Sequence, residues 1–308
     1  MNIDTSWLKD FVALANVRNF SKAAQLRHIT QPAFGRRIKA LETAVNQILI
    51  DRNTNPISLT PAGQQFHVVA RNVLSQITDG IEQLNDAHHS TFNPVNIASP
   101  HSLSSPTLIN LLDSIQTVDA PLPYSVDILR VEEGIHALKE GQCDYLLAFD
   151  HIALLQPPFQ NLLLGKGQYL LVSAQKNGAP IYSLDDPMIP YLRYTDDSYS
   201  ARLLEQHQAD LPTNFSPVFQ SSMCQLHKEM ALLGKGVAWL PDVLIYQELK
   251  DEQLIPLNAE QYHLPFQVRL YRYGAPLSKD AEKLWLRLSE KYARHTFCQP
   301  YNPSLDTQ

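Results

Sequence analysis

Two short helical segments follow each other closely near the start of the chain, with a brief turn between them. In the second segment Phe34, Ile38 and Leu41 recur at i, i+4 and i+7, which predicts a helix with one buried face. Thr30 is suited to cap this helix, and Pro32 falls in its first turn, where a missing N–H is tolerated. Two short helices so close together predict a helix-turn-helix unit.

The first segment of this pair follows a longer amphipathic helix. Ser21 is its predicted N-cap, because the hydroxyl can accept a backbone N–H of the first turn, and the helix is expected to run from Lys22 to about Arg27. The small residues Ala23 and Ala24 would let a neighbouring helix pass close by. The longer helix before it is predicted from apolar residues at helical spacing, namely Trp7, Leu8, Phe11, Leu14 and Ala15.

Charge separates this end of the chain from the rest. Between Phe11 and Arg52 there are seven basic and two acidic residues, a balance of +5. The whole chain carries −6, so the remainder carries −11. A basic segment in an otherwise acidic chain predicts that only this N-terminal part binds a polyanion.

The polar face of the second segment has the chemistry of base recognition. Gln31 can pair with the N6/N7 edge of adenine, and Arg36 and Arg37 can pair with guanine or a phosphate. The Ser21 and Thr30 hydroxyls can donate hydrogen bonds to phosphate oxygens. The same residues, taken singly, also fit an ordinary amphipathic surface helix.

A short turn bounded by apolar residues follows this helix. Leu49 and Ile50 precede it, and Ile57 and Leu59 follow it, which predicts two short strands around a wing. Arg52 lies in the turn, within reach of a DNA backbone or minor groove. The predicted DNA-binding residues are Ser21, Thr30, Gln31, Pro32, Arg36, Arg37 and Arg52.

A long helical stretch begins at Pro61 and continues to about His89. Its apolar residues follow spacings of three and four, close to a coiled-coil seam, and are Ala70, Val73, Ile77, Ile81 and Leu84. Such a stripe packs either on the chain's own domain or on the same helix of a second subunit. We favour the second arrangement, because a dimer presents two recognition helices to two half-sites.

From Pro94 onward, strands alternate with helices, which predicts α/β layers with largely parallel sheets. Strands are predicted at 95–98, 124–129, 145–149, 169–172 and 237–240, and helices at 108–115, 134–138, 221–233 and 278–292.

Ligands of open α/β sheets bind beyond the carboxyl ends of the strands. Three such ends are rich in small hydrogen-bonding groups, and we expect them to converge on one cleft, although such residues also serve as plain loop polars and helix caps. The predicted effector-binding residues are Ser99, His101, Ser102, Thr195, Tyr199, Ser222 and Met223. Hydroxyls and helix N-termini supply hydrogen-bond donors, which favours a small polar or anionic species.

Several other classes of protein are disfavoured. The cysteines Cys143, Cys224 and Cys298 are odd in number and widely spaced, which predicts reduced thiols in a cytoplasm and no metal site. No apolar run approaches the roughly 20 residues that span a bilayer, so no membrane association is expected. The enzyme alternative, a small-molecule-binding enzyme with an α/β core, lacks a cofactor fingerprint and a nucleophile elbow.

The run NFSKAAQLRHITQPAFGRRIKALE, followed by LTPAG, resembles the signature of LysR-type transcriptional regulators. The resemblance implies a regulator that is not an enzyme and has no cofactor, with double-stranded DNA and a small effector as partners. It also implies a dimer of dimers and adds RNA polymerase as a candidate partner. Gly35 stands where the family usually has a small polar residue such as serine. Asn46 stands where the family often has glycine, and asparagine tolerates the left-handed conformation.

The resemblance also implies the organisation of the chain. The implied parts are a winged helix-turn-helix at 1–60, a linker and dimerisation helix at 61–90, and an effector-binding domain at 91–308. The last would have a periplasmic-binding-protein-like fold of two α/β subdomains, I at about 91–163 and 268–308 and II at about 164–267. The chain would cross between them near Leu162–Gly165 and Leu264–Val268.

The segments HSLS, VEEGIHALKEGQCDYLLAFD, SSM and GVAWLP resemble the hypochlorite-responsive branch of this family. That branch is associated with methionine oxidation as its switch, which implies a response to oxidative stress. Met223 matches the branch's Ser-Ser-Met pattern, whereas its other sensing positions fall on Ser200 and near Thr117. Packing in the core or cleft is the alternative role for Met223. A thiol sensor is a further alternative, although Cys143 and Cys224 fall in different predicted subdomains.

Overall fold

A computed structural model describes residues 3–84, 94–116, 121–207, 214–293 and 296–301. The N-terminal part contains helices α1 to α4 and the two short strands β1 and β2. Their bounds are α1 Thr5–Val17, α2 Phe20–Leu26, α3 Gln31–Val45, β1 Ile50–Asp51, β2 Ser58–Leu59 and α4 Pro61–Leu84.

Helices α1 to α3 pack around one apolar core, which confirms the predicted helix-turn-helix. Phe11, Leu14, Phe34, Ile38 and Leu41 are all fully buried, as the helical spacing of these residues predicts. At about 25 cal/mol per Å² of apolar surface, this burial is the main stabilising contribution to so small a unit.

The predicted cap of α2 is wrong by two residues. The N-cap is Asn19, whose side chain accepts the backbone N–H of Lys22 over 3.0 Å, and the helix begins at Phe20. Phe20 belongs to the helix because its ring packs edge-on against Phe34, with centroids 6.0 Å apart. The Ser21 hydroxyl is therefore available for another partner. Thr30 is the N-cap of α3 by position but makes no side-chain capping bond.

The wing is tied closely to the helix that follows it. Strands β1 and β2 pair antiparallel, with Ile50 opposite Leu59. Thr60 Oγ1 donates to the Ile48 carbonyl over 2.6 Å and accepts the Gly63 N–H over 3.0 Å. A Cβ on Gly63 would overlap the Leu49 carbonyl oxygen, so only glycine permits this approach.

Asn46 is the C-cap residue of helix α3 and adopts the left-handed conformation with φ of 53°. Asparagine tolerates this conformation better than most residues, so it replaces the glycine that the family often has there.

Helix α4 exposes an apolar stripe that differs slightly from the predicted seam. Ala70 is 1% exposed and packs in the chain's own core, so it does not belong to the stripe. The exposed apolar residues recur every four positions and are Val69, Val73, Ile77 and Ile81, here called the α4 stripe. The Leu84 side chain and residues 85–89 lie outside the part that the structure describes.

The second part of the chain is an α/β domain. Its strands are β3 Val95–Ser99, β4 Tyr124–Ile128, β5 Tyr145–Phe149, β6 Phe159–Lys176, β7 Ala179–Pro180, β8 Ile189–Tyr194, β9 Phe215–Ser221, β10 Ala238–Pro241, β11 Leu254–Pro256 and β12 His263–Tyr273. Its helices are α5 His101–Leu103, α6 Ile109–Asp113, α7 Val131–Lys139, α8 Tyr199–Gln206, α9 Cys224–Leu232, α10 Asp242–Lys250 and α11 Lys279–Tyr292. A π-helical turn, Ser104–Leu108, joins α5 to α6.

The domain has the predicted α/β fold, but its main sheet is mixed, so the prediction of largely parallel sheets is wrong for that sheet. Among the described residues its order is β10-β6-β12-β5-β3-β4, and β8 and β9 form a separate parallel pair. Strand β3 pairs parallel with β4 and β5, whereas β12 runs antiparallel to both β5 and β6. The long strands β6 and β12 pair antiparallel with each other, and no local sequence pattern predicts this pairing.

These two strands connect the two α/β halves of the domain. Their pairing changes register between Val268 and Arg269, which lie opposite Gly165 and Leu163. The chain thus crosses twice between halves, as in a periplasmic-binding-protein-like fold. The subdomain boundaries given above stay a prediction.

A C-terminal segment, residues 296–301, runs beside β6. The Phe297 N–H donates to the Leu164 carbonyl over 2.6 Å, and the Lys166 N–H donates to the Cys298 carbonyl over 3.1 Å. A Cβ on Gly165 would overlap Cys298, so this glycine admits the segment. None of the described helices is long and apolar enough to cross a bilayer.

Candidate DNA-binding and effector sites

The exposed face of α3 carries the predicted recognition residues. Gln31, Pro32 and Arg36 are exposed there, and Ser21 and Thr30 are exposed beside them. Ser21 Oγ donates to Gln31 Oε1 over 3.2 Å. This bond engages the amide oxygen and leaves the Nε2 donors for an acceptor on a base edge.

Arg37 is placed differently from the prediction. The carboxylate of Asp10 is fully buried and accepts Arg27 Nε over 2.7 Å and Arg37 Nη1 over 3.3 Å. Arg37 therefore joins α3 to α1, with 39% of its side chain left exposed for a phosphate. This role of Asp10 could not be predicted, because an acidic residue among apolar helix positions gives no sign of its distant partners.

Arg52 of the wing is also held in an ion pair. Its Nη2 donates to Glu42 Oε2 over 2.8 Å, and 48% of the side chain stays exposed. Glu42 Oε1 accepts the backbone N–H groups of Leu49 and Ile50 over 3.0 and 3.1 Å. One carboxylate thus fixes both the start of the wing and its arginine, so Arg52 is presented in a defined position.

The second site is a cleft with a volume of about 370 Å³, here called the effector cleft. It opens between the start of α5, the N-termini of α7 and α8, and the β9–α9 turn. Five of the predicted effector residues line it, namely His101, Ser102, Tyr199, Ser222 and Met223. The predicted convergence of the strand ends thus brings these five side chains together.

Ser99 and Thr195 do not line this cleft. Ser99 is fully buried and its Oγ donates to the Pro100 carbonyl. Thr195 begins the turn before α8, where its backbone N–H donates to the Ser221 carbonyl over 3.1 Å. Ser99 and Thr195 each precede, by one or more residues, the part of the chain that lines the cleft. Residues that the sequence analysis did not choose line the cleft instead, among them Arg130, Asp197, Ser198, Ser200 and Ser221.

Ion pairs link the two sides of the cleft mouth. Arg130 Nη1 donates to Asp197 Oδ2 over 2.7 Å, and Arg202 pairs with Glu132. Both pairs are about half exposed, so water screens them and each stabilises the contact only weakly. They join the α7 side to the α8 side, which places weak, breakable contacts at the opening.

The floor of the cleft is a buried hydroxyl and thiol cluster. Tyr169 Oη and Ser200 Oγ lie 2.9 Å apart, and Tyr194 Oη donates to Cys224 Sγ over 3.2 Å. Burial raises the pKa of the Cys224 thiol, so it stays protonated near neutral pH. A protonated thiol reacts slowly with oxidants, which argues against thiol sensing at this position.

The other two cysteines are also free, and burial raises the pKa of Cys143 and of Cys298 to about 12. Neither thiol is therefore poised as a nucleophile. Among the described residues, no cluster of His, Cys, Asp and Glu is arranged to hold a metal ion.

Met223 is the N-cap residue of α9 and lines the cleft in a partly buried position. Of the branch's other sensing positions, Ser200 is 4% exposed and hydrogen-bonded to Tyr169, and Thr117 lies outside the described residues. Met188 is 68% exposed and does not line the effector cleft, so it offers an internal reference for oxidation.

The far end of α7 contacts the DNA-binding domain. Arg18 Nη2, just after α1, donates to Glu140 Oε2 over 3.1 Å, and Gln64 of α4 approaches Glu140 Oε1. His67 of α4 donates from Nδ1 to the Glu140 carbonyl over 2.5 Å. His67 is 2% exposed, and burial lowers its pKa. A single nine-residue helix therefore extends from the effector cleft to the DNA-binding domain.

Comparison with known proteins decides the class. Residues 5–64 match the model of the bacterial regulatory helix-turn-helix of the lysR family, and residues 89–293 match that of the LysR substrate-binding domain. The chain belongs to the LysR family of transcriptional regulators. Members of this family are regulators and not enzymes, so the enzyme alternative is rejected.

Individual LysR relatives match along nearly the whole chain. The HTH-type transcriptional regulator YjiE of Escherichia coli K12 is 36% identical over 94% of this chain and 95% of its own. Among solved structures, Vibrio fischeri DarR in complex with DNA is 39% identical, covering 94% of this chain and 99% of that one with a TM-score of 0.60. HypT of Salmonella typhimurium, described as a hypochlorite-specific LysR-type regulator, is 36% identical, covering 96% and 100% with a TM-score of 0.62.

Proposed function

We propose that this LysR regulator reads a specific DNA sequence through α3 and changes its DNA binding when a small ligand occupies the effector cleft. The observation that carries the proposal is α7, because its first turn lines the cleft and the residues after its last turn contact α1 and α4. A ligand that shifts α7 therefore acts on the DNA-binding domain through direct contacts.

In this proposal, recognition of the DNA sequence depends on Gln31, with Arg36 beside it on the exposed face of α3. Ser21, Thr30, Pro32, Arg37 and Arg52 surround them and would contact phosphates or the groove wall. Base contacts carry specificity and phosphate contacts carry affinity, so the two groups should respond differently to substitution.

The test is a gel-shift series with cognate and base-substituted operators. Gln31→Ala should weaken cognate binding by roughly 1–3 kcal/mol and relax the choice of base at one position. Gln47→Ala is the matched control, because Gln47 is an exposed glutamine just beyond the end of α3. If Gln31→Ala behaves like Gln47→Ala, the assignment of α3 as the reading helix is wrong.

The inner part of the effector cleft favours a small polar or anionic ligand. His101, Ser102 and Ser222 supply donors, and the N-termini of α7, α8 and α9 add partial positive charge. Each of the three acids that line it has a partner, since Asp197 pairs with Arg130, Glu132 pairs with Arg202, and Glu133 accepts the Arg130 backbone N–H. Repulsion of an anion by these carboxylates is therefore reduced.

The α4 stripe supports assembly into dimers. Four aliphatic side chains spaced by four residues, each 37–53% exposed, leave an apolar face that the same helix of a second copy would cover. Pairs of such dimers would give the dimer of dimers that the sequence resemblance implies.

Oxidant sensing at Met223 is the second candidate. Its support is the position of Met223 in the cleft, together with the description of the HypT relative as hypochlorite-specific. Oxidation would convert an apolar side chain at the start of α9 into a polar sulfoxide, and this change would alter the cleft wall.

A further inference from the structure

A second cavity lies apart from the effector cleft, with a volume of about 430 Å³. Its walls come from the π-helical turn and α6, from the start of α10, and from the C-terminal segment 296–301. The two cavities share no lining residue. They are nevertheless adjacent along the chain, because His101 and Ser102 line one and Pro106 and Thr107 line the other.

The carboxylate of Asp242 forms one wall of this cavity. Asp242 is 2% exposed, with Oδ1 accepting the Val243 N–H over 2.8 Å and Oδ2 accepting the Tyr301 N–H over 2.9 Å. Backbone N–H groups, that of Gln168 among them, occupy part of its acceptor capacity but bring no full positive charge, and no ion pair reaches it from the described residues. The N-terminus of α10 contributes only about half an elementary charge.

Burial raises the pKa of Asp242 to about 6, so the group is mostly ionised near neutral pH. The protein therefore holds a largely uncompensated negative charge beside an open cavity. A buried carboxylate is costly unless a cation or several hydrogen bonds accompany it. A cationic ligand would supply the missing partner.

The other walls suit the same kind of ligand. Thr107 is 5% exposed and its hydroxyl has no hydrogen-bond partner, while the Asn110 amide offers a further acceptor. The rings of Tyr246 and Phe297 line the cavity and can attract a cation through their faces. Of the described residues that line it, none is lysine, arginine or histidine.

We propose that this second cavity binds a small primary amine, with the ammonium group on the Asp242 carboxylate and its remaining N–H donors toward Thr107 and Asn110. An ammonium group has three donors and no acceptor, which matches a carboxylate, a hydroxyl and an amide oxygen. Anions are excluded by the carboxylate, and neutral ligands leave its charge uncompensated.

The test is calorimetric titration of the full-length protein with butane-1,4-diamine, against butane-1,4-diol as an uncharged molecule of the same length. We expect the diamine to bind and the diol to bind at least roughly tenfold more weakly. Asp242→Asn should weaken diamine binding by about tenfold to a hundredfold. Met223→Leu, in the effector cleft, is the matched control and should bind the diamine as the parent does.

Asp242→Asn also alters the bond to Tyr301, so a second variant guards against a loss of fold. Thr107→Val keeps the Asp242 contacts and should still weaken the diamine by roughly tenfold. Equal binding of diol and diamine, no binding of the diamine, or unchanged binding by Thr107→Val and any folded Asp242→Asn would each overturn the proposal. Gln31→Ala should bind the diamine normally, so failure of DNA reading and failure of this site are distinguishable.

Discussion

Arg18 of the DNA-binding domain donates to the Glu140 carboxylate of the effector domain over 3.1 Å, with Glu140 only 8% exposed in its side chain. The same glutamate also receives Gln64, and its carbonyl receives His67. One residue after the end of α7 thus meets both α1 and α4. Asn72 of α4 contacts the Pro276 carbonyl separately, so the loss of Glu140 should remove one contact between the domains and leave another in place.

Glu140→Ala should therefore loosen the DNA-binding domain without unfolding it. Arg18 is one-third exposed and can be hydrated, so the change in the free energy of unfolding should be about 1 kcal/mol or less. Amide hydrogen exchange should rise at residues 14–20 and 64–72. Lys283→Ala is the control, because its pair with Asp280 lies within α11 and joins no domains. Equal exchange in both variants would show that Glu140 does not couple the domains.

The α4 stripe yields a prediction about assembly. Ile77→Glu combined with Ile81→Glu places like charges on facing helices and should dissociate the dimer in sedimentation experiments. Thr78→Glu adds a charge to another exposed face of α4 at the same level, so it should leave the mass unchanged. An intact assembly in the double variant would move the interface elsewhere.

Oxidation separates the two candidates for the signal. If Met223 senses an oxidant, it should gain oxygen before the more exposed Met188 under limiting hypochlorite, as followed by mass spectrometry. Met223→Leu, which conserves volume, should cost less than about 1.5 kcal/mol of stability and should blunt the DNA-binding response. Met188→Leu should respond as the parent does. A normal response in Met223→Leu leaves a bound ligand as the signal.

Asp242 should give stability an unusual dependence on pH. Its pKa is about 6 in the folded chain against 3.8 when unperturbed, so the folded state binds the extra proton between these values. The free energy of unfolding should therefore rise as pH falls from about 7 to about 4, by up to about 3 kcal/mol from this group. Glu282 acts in the opposite direction, because its hydrogen bonds with Arg272 lower its pKa.

The comparison of the parent with Asp242→Asn isolates the contribution of Asp242. Urea unfolding at several pH values should show that the difference between the two proteins changes across this window and is constant above about pH 7. A constant difference throughout would mean that Asp242 titrates as an exposed carboxyl does.

The helix-turn-helix could be predicted because its signals are local. Phe34, Ile38 and Leu41 recur within one helix, and the turns depend on residues next to them. The contacts that could not be predicted depend on distant partners. Arg37 is held by Asp10, 27 residues earlier, and that contact exists only after the helices have packed.

The effector cleft shows the same limit. The strand ends were found, but which residue at each end faces the cleft depends on where the chain turns. Ser99 points into the protein, whereas His101 and Ser102, just beyond it, line the cleft. The antiparallel pairing of β6 and β12 joins segments about 100 residues apart in the sequence. No pattern within either strand could therefore predict it.

The contact between Gly63 and the Leu49 carbonyl has a consequence for the operator. It leaves no room for the wing to slide on α4, so the wing and this helix move as one rigid piece. If α4 pairs with α4 of a second subunit, the crossing angle of the two helices determines the distance between the two wings. The spacing between half-sites that a dimer can contact would then depend on the crossing angle of the two α4 helices, and a ligand that changes this angle would change that spacing.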